Sequence, residues 1–185
     1  LKCVDINYHF DVHTLLTYAC DTNNFTLAGN ILEYENVDVN IPESLNGDTP
    51  LIICTKKNYF EIAKLLVDHP QININAQNYN QQTALTIASA SNQNNFIDLI
   101  INNEKFDPKE SHLNLAFFIS KGETAKNLLS IKSLDVNYID YTSLKTSLTS
   151  AVLLNQIEKV TLIISHPSFN KNKSQLKTAI KETIL

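Results

Sequence analysis

The chain has 185 residues, of which 43% are hydrophobic and 18% charged, and its formal net charge is −4. These values fit a packed interior and argue against a disordered tail or a strongly basic nucleic-acid-binding protein. No run of about 18 apolar residues occurs, so we expect no membrane-spanning helix. Because the three cysteines are an odd number, we expect free thiols and a cytoplasmic protein.

An internal repeat of about 34 residues runs through the chain. An apolar-polar-apolar-Asn phrase begins at Val4, Val37, Ile72 and Leu134, and weaker copies begin at Phe106 and Phe169. The steps between successive starts are 33, 35, 34, 28 and 35 residues. We therefore divide the chain into units 4–36, 37–71, 72–105, 106–133 and 134–168, with a partial sixth unit at 169–185.

A capped helix is predicted to follow this phrase in four units. Its first signal is a threonine, whose hydroxyl can accept a hydrogen bond from a free N–H at a helix start. These threonines are Thr14, Thr49, Thr83 and Thr146. Pro50 suits the first helical position, where the missing N–H has no cost. A small residue five positions after each threonine lets a neighbouring helix approach closely: Ala19, Cys54, Ala88 and Ala151.

A second amphipathic helix is predicted in each unit after a short turn. An asparagine occupies this turn at Asn23, Asn58, Asn92 and Asn155. Apolar residues spaced by three and four then indicate one buried helical face, as at Ile62, Leu65 and Leu66. Each unit is therefore a helix, a turn and a second helix, preceded by an extended segment.

Residues 47–78, GDTPLIICTKKNYFEIAKLLVDHPQININAQN, resemble an ankyrin repeat. That family's pattern is G-x-T-P-L-x-x-A, a Gly or Asn turn, I-x-x-L-L and D-V-N. The resemblance covers essentially the whole chain. It implies an all-α ankyrin-repeat solenoid of stacked helix-turn-helix units with short β-hairpin or loop fingers.

The sequence departs from the family pattern in two respects. The histidine that usually follows T-P-L is replaced by Thr17, Ile52, Thr86 and Thr149, so its hydrogen bonds between units must be weakened or supplied otherwise. The fourth unit is about six residues short, and the loss falls between Lys109 and Leu113. We expect its finger to be absent, which would leave a notch.

Both ends of the chain predict a piece of a longer protein. The first residue is Leu1, and the sequence contains no methionine. Near the other end, Leu176, Ala179 and Ile180 resemble a first helix without a partner helix. We therefore expect further repeats or another domain to flank the segment.

No reactive cluster is apparent. The five histidines lack the spacing of a zinc site, and three glycines are too few for a phosphate-binding loop. His69-Pro70 and His166-Pro167 fit helix ends. The lysines are scattered and form no basic stripe for nucleic acid. We therefore expect no catalytic residue, metal ligand or cofactor.

The family resemblance implies a scaffold or adaptor that binds another protein through its concave face. This face consists of the fingers and the exposed side of the first helices. The candidate partner-binding residues are Phe10, Asp11, His13, Leu45, Asn46, Asp48, Lys56, Lys57, Tyr79, Asn80, Gln82, Thr142, Ser143, Lys145, Leu153 and Leu154. Phe10, Leu45 and Tyr79 are the candidate apolar anchors. Leu153 and Leu154 either anchor a partner or pack into the notch.

Other interpretations remain open. The segment could be a structural component of a large cytoskeletal or ribonucleoprotein assembly. It could also be the regulatory repeat region of an enzyme whose catalytic domain lies elsewhere. The repeated asparagine, at Asn40, Asn75 and Asn137, is predicted to tie down its hairpin loop, and the resemblance offers asparaginyl hydroxylation as the alternative.

Overall fold

A computed structural model of the protein describes residues 5–173. This part of the chain contains ten helices and one two-stranded antiparallel sheet. The elements in chain order are α1 (Leu15–Asp21), α2 (Phe25–Leu32), α3 (Pro50–Lys57), α4 (Phe60–Val67), α5 (Ala84–Ala90), α6 (Asn94–Ile101), α7 (Leu113–Ile119), α8 (Gly122–Leu129), β1 (Ile139–Asp140), β2 (Lys145–Thr146), α9 (Ser147–Leu153) and α10 (Ile157–Ser165). None of the helices between residues 5 and 173 is long and apolar enough to cross a membrane.

The helices form two layers. The first helices of successive units, α1, α3, α5, α7 and α9, pack side by side, and the second helices form a parallel layer behind them. The small residues predicted to permit close packing, such as Cys54 and Ala88, are fully buried between helices. The core is one continuous apolar cluster that follows the stack. This architecture confirms the predicted all-α ankyrin solenoid.

Threonine caps start four of the first helices, as predicted. The Thr14 and Thr83 hydroxyls each accept a hydrogen bond from the backbone N–H three residues later, at 3.2 Å. In these two units the threonine that replaces the family's histidine also accepts a bond back from the cap N–H, at 2.8 Å for Thr17 and 3.0 Å for Thr86. The substituted position therefore stabilises its own helix start.

Left-handed asparagines end the same four helices. Asn23, Asn58, Asn92 and Asn155 have φ angles of 54°, 60°, 53° and 53°. Asparagine tolerates this conformation better than most residues, which explains its place at the family's glycine turn.

The repeated asparagine links consecutive units. Asn40 Nδ2 donates to the Gln71 carbonyl at 2.8 Å, and Asn40 Oδ1 accepts from the Asn73 N–H at 2.7 Å. Asn7, Asn75 and Asn137 make the same pair of bonds, in which Nδ2 donates to the last residue of the asparagine's own unit and Oδ1 accepts from the start of the next. The side chain therefore ties down a loop, as predicted, and the loop is the one that joins its unit to the next.

The fourth unit has no finger, as its short length predicts. Within the described chain, residues 108–112 form only turns, which lead directly into α7. His112 precedes α7 in a left-handed conformation, with φ 57°, and its side chain does not cap the helix. The gap is a notch of about 520 Å³ whose walls include Gln81, Pro108 and Tyr141.

Candidate partner-binding surface

The fingers of the first three units form one hydrogen-bonded row. Finger 1 is residues 10–13, finger 2 is residues 43–48 and finger 3 is residues 77–83. The Ser44 N–H donates to the Val12 carbonyl, and the Tyr79 N–H donates to the Asn46 carbonyl, both at 2.9 Å. We call this set the finger row. Finger 5, formed by β1 and β2, lies beyond the notch.

A polar side chain inside the loop closes finger 2. The Glu43 carboxylate accepts bonds from the N–H groups of Leu45, Asn46 and Asp48 at 2.7, 2.7 and 3.1 Å. Burial alone would raise the pKa of Glu43, but these N–H bonds outweigh it and the pKa lies below its ordinary value. Glu43 is therefore ionised near neutral pH and holds the tip of the loop.

The same position closes fingers 3 and 5. Asn78 Oδ1 accepts from the Asn80 and Gln82 N–H groups at 3.0 and 2.9 Å. Asp140 accepts from the Ser143 N–H at 2.8 Å and from the Thr142 hydroxyl at 2.7 Å. Our sequence interpretation missed these residues, although a polar residue three positions after the repeated asparagine was a usable signal.

A groove lies between fingers 1 and 2, and we call it the finger groove. Its volume is about 430 Å³, and Val12, Leu45 and Ile53 give it apolar walls. Seven of the predicted partner-binding residues line it: Asp11, His13, Leu45, Asn46, Asp48, Lys56 and Lys57. The structure thus brings together seven of the eight candidates of the first two units, and Phe10 lies outside the groove lining.

Asp48 has a different role from the one predicted. The sequence placed it on the polar contact surface, but only 5% of it is exposed. Its carboxylate binds Lys56 Nζ at 2.6 Å and accepts from Asn78 Nδ2 at 2.7 Å. Asp48 therefore joins finger 2 to α3 and to finger 3, and its prediction as an exposed contact residue is wrong.

Three apolar side chains project from the finger row. Phe10 is 41% exposed, Leu45 71% and Tyr79 67%. The Tyr79 ring lies over Gly47, where a β-carbon would come within 2.5 Å of it. Gly47 also has φ +72°, a conformation that favours glycine. The predicted exposure of these anchors is confirmed, whereas their binding role stays a prediction. Asn80 and Gln82, on the same finger as Tyr79, are exposed polar residues.

The candidates of the fifth unit lie apart from the finger groove. Thr142 and Ser143 are exposed residues of finger 5, and Lys145 belongs to β2. Leu153 is half-buried at the end of α9 and Leu154 is 61% exposed. Neither leucine is among the residues that line the notch. The interpretation that they fill the notch is therefore wrong.

A buried lysine that the sequence analysis missed joins the fourth and fifth units. Lys159 is 1% exposed and occupies the position in α10 at which α4 has Ile62 and α6 has Phe96. Its ammonium donates to the carbonyls of Phe117, Phe118 and Ser120 at 2.6, 2.9 and 2.8 Å. Burial, and then the charge of Lys121, lowers the pKa of Lys159 to about 7.

The described thiols are buried, and the metal-binding side chains of residues 5–173 are dispersed. Among residues 5–173, no three or more His, Cys, Asp and Glu side chains are grouped so as to hold a metal ion. Cys20 and Cys54 are buried free thiols. The hydrogen bond with Cys54, followed by burial, raises the pKa of Cys20 well above its ordinary value. A protonated, buried thiol is a poor nucleophile.

Comparison with known proteins agrees with this architecture. Residues 16–112 match a family model described as ankyrin repeats, in three copies. The chain belongs to the ankyrin-repeat family. It is 33% identical over 101 residues to alpha-latroinsectotoxin-Lt1a of Latrodectus tredecimguttatus, a match that covers 54% of this chain and 7% of the toxin. It is 27% identical over 173 residues to the putative ankyrin repeat protein FPV031 of Fowlpox virus (strain NVSL), covering 86% of this chain and 49% of that protein.

Solved ankyrin structures share the fold of this array. The ankyrin repeat protein EF0377 superposes with a TM-score of 0.72 at 24% identity, over 86% of this chain and 84% of that one. The ankyrin repeat domain of Bcl-3, a member of the IkappaB family, superposes with a TM-score of 0.74 at 21% identity, over 89% and 75% of the two chains. At these identities the likeness concerns the fold alone.

Proposed function

We propose that this ankyrin array binds another protein through the finger row and the finger groove, as a scaffold or adaptor that catalyses no reaction itself. Ankyrin repeats are in general protein–protein interaction modules, and the family match includes fingers 2 and 3. The observation that carries the proposal is the projection of Phe10, Leu45 and Tyr79 from adjacent, hydrogen-bonded fingers.

These side chains are exposed to a partner, and the structure around Leu45 and Tyr79 is already fixed before a partner binds. Burying apolar surface against a partner contributes about 25 cal/mol per Å². The backbone around Leu45 is already fixed by Glu43, and Tyr79 rests on Gly47. Little conformational entropy would therefore be lost when a partner binds.

The proposal includes a cytoplasmic location and the absence of nucleic acid among the partners. Cys20 and Cys54 are free thiols, which favours a reducing compartment. The net charge of −4 opposes binding to a polyanion such as DNA or RNA.

Affinity capture with matched variants tests the proposal. The immobilised array would be compared with its Leu45→Ser, Tyr79→Ser double variant and with Ile157→Ser, which alters a side chain on α10 that is also 71% exposed. We expect the double variant to lose a protein that the wild type and the Ile157→Ser control both retain. Equal capture by all three would contradict the proposal, and a stoichiometric assembly retained by all three would favour a structural component instead.

A further inference from the structure

The negative charge of the protein is concentrated in its first two units. Residues 5–71 contain ten carboxylate side chains and three lysines, a net charge of −7. Residues 72–173 contain eight carboxylate side chains and nine lysines, a net charge of +1. The finger groove, with its apolar walls, opens on the acidic part of the array. A partner that enters it therefore meets a negative field.

Within the groove, two of the four carboxylates are neutralised by lysines. Lys56 binds Asp48 at 2.6 Å, and Lys57 binds Asp21 at 2.8 Å. Glu43 is buried and accepts N–H bonds from its own loop, and Asp11 is exposed at the tip of finger 1. Between residues 5 and 173, neither of these two carboxylates forms a salt bridge. Asp11 is therefore the exposed carboxylate of the groove whose charge can attract a cation.

The groove combines this charge with an apolar contact. Leu45 is 71% exposed at one rim, whereas Ile53 is a buried part of the wall. A segment with both positive and apolar side chains would match the two features at once. An acidic segment would be repelled, and a neutral apolar one would bury the Asp11 carboxylate without a partner.

We infer that the finger groove takes a basic segment of the partner protein, with a lysine or arginine side chain at Asp11 and an apolar side chain against Leu45. This inference rests on the proposed protein-binding function and specifies the partner's chemistry. It also assigns an orientation: the basic segment lies across the first two units, and the rest of the partner extends along the finger row.

Two short labelled peptides test this inference by fluorescence anisotropy. One has the sequence Lys-Leu-Lys-Lys-Leu-Lys, and the other replaces each lysine with glutamate. The array would be wild type, Asp11→Asn or Glu33→Gln. Glu33→Gln makes the same charge change within the first two units but lies at the end of α2, outside the groove.

We expect the lysine peptide to bind the wild type and the glutamate peptide to bind more weakly. Asn at position 11 keeps a residue type that tolerates φ +59°, so the fold should persist. Asp11→Asn should weaken binding of the lysine peptide about fivefold, which is the upper end of what one exposed ion pair contributes. The control variant should leave the affinity within about twofold.

Several outcomes would overturn the inference. These are equal binding of both peptides, no binding of either, or an equal loss of affinity in the groove and control variants. A dimer of the wild-type chain that the groove variant dissociates would show that a second copy covers the groove instead. If both peptides bind equally and Leu45→Ser weakens both, the proposed function stands and only the basic partner is refuted.

Discussion

The first three units and the fourth satisfy the polar groups at the ends of their first helices with different residues. In units 1–3, threonine starts the first helix, left-handed asparagine ends it, and a repeated asparagine bonds to the next unit. In unit 4, His112 precedes α7 without capping it, and Ser120 after α7 is extended, with φ −68°. The carbonyls at the end of α7 are then bound by Lys159 from the fifth unit.

This difference shows that the backbone polar groups must find hydrogen-bond partners at each junction between two units. The partner need not be one particular residue type. Unit 4 has no asparagine in the repeated position, yet Asn114 Oδ1 accepts the Asp135 N–H at 2.9 Å and makes an equivalent link. The junctions within units 1–3 repeat one local pattern. The junction between units 4 and 5 depends on the buried Lys159, so its stability should be more sensitive to a single substitution.

The largest expected effect is at Lys159. Lys159→Ala would remove the partner of three carbonyls and leave a cavity, so we expect the free energy of unfolding to fall by about 3 kcal/mol. Urea denaturation followed by circular dichroism measures this. Lys126→Ala, at a 58% exposed side chain, is the control and should change stability by less than about 0.5 kcal/mol. If both substitutions lowered the free energy of unfolding equally, the junction between units 4 and 5 would not depend on Lys159.

The same lysine makes stability depend on pH. Its folded pKa of about 7 lies below the ordinary value of 10.5, so between these pH values the unfolded chain binds more protons than the folded one. The penalty for burying the charged amine is therefore fully present below pH 7 and is relieved as the pH rises. We expect the stability of the wild type, relative to Lys159→Met, to increase by about 1 kcal/mol per pH unit from pH 7 to 9. A flat or falling difference would show that the ammonium stays charged in the folded protein.

Thr83 marks the boundary between the two regions. Its hydroxyl caps α5 and also donates to the Ser111 carbonyl of unit 4 at 2.9 Å. Thr49 caps α3 in the regular region. We expect Thr49→Ala to cost about 1 kcal/mol and Thr83→Ala about 2 kcal/mol, measured by thermal and urea unfolding. If Thr49→Ala were the more damaging, the bond across the boundary would contribute nothing.

The smallest effect is at the finger row of the regular region. Gly47→Ala would place a methyl group against the Tyr79 ring and strain a backbone with φ +72°. We expect a loss of about 1 kcal/mol, together with a change in Tyr79 fluorescence as the ring moves. Gly29→Ala, in α2 with nothing within 4 Å of the added carbon, should instead stabilise by about 0.5 kcal/mol. Destabilisation by both would point to a general effect of added bulk.

Sequence reasoning recovered what depends on local chemistry. The threonine caps, the asparagine turns, the missing fourth finger and the exposure of Leu45 and Tyr79 all follow from patterns within one unit. Asp48 was misplaced because its burial depends on Asn78, which lies 30 residues further along the chain. Lys159 was missed because its partners lie about 40 residues earlier, at an end of α7 whose geometry the repeat pattern does not specify.

Hydrogen exchange of the array with and without a captured partner tests most directly whether the regular region is the binding surface. We expect amide protection to increase on binding in residues 10–13, 43–48 and 77–83. We expect no change in residues 139–146, which lie beyond the notch. Protection confined to residues 139–146, or to the second-helix layer, would contradict a binding surface in the regular region.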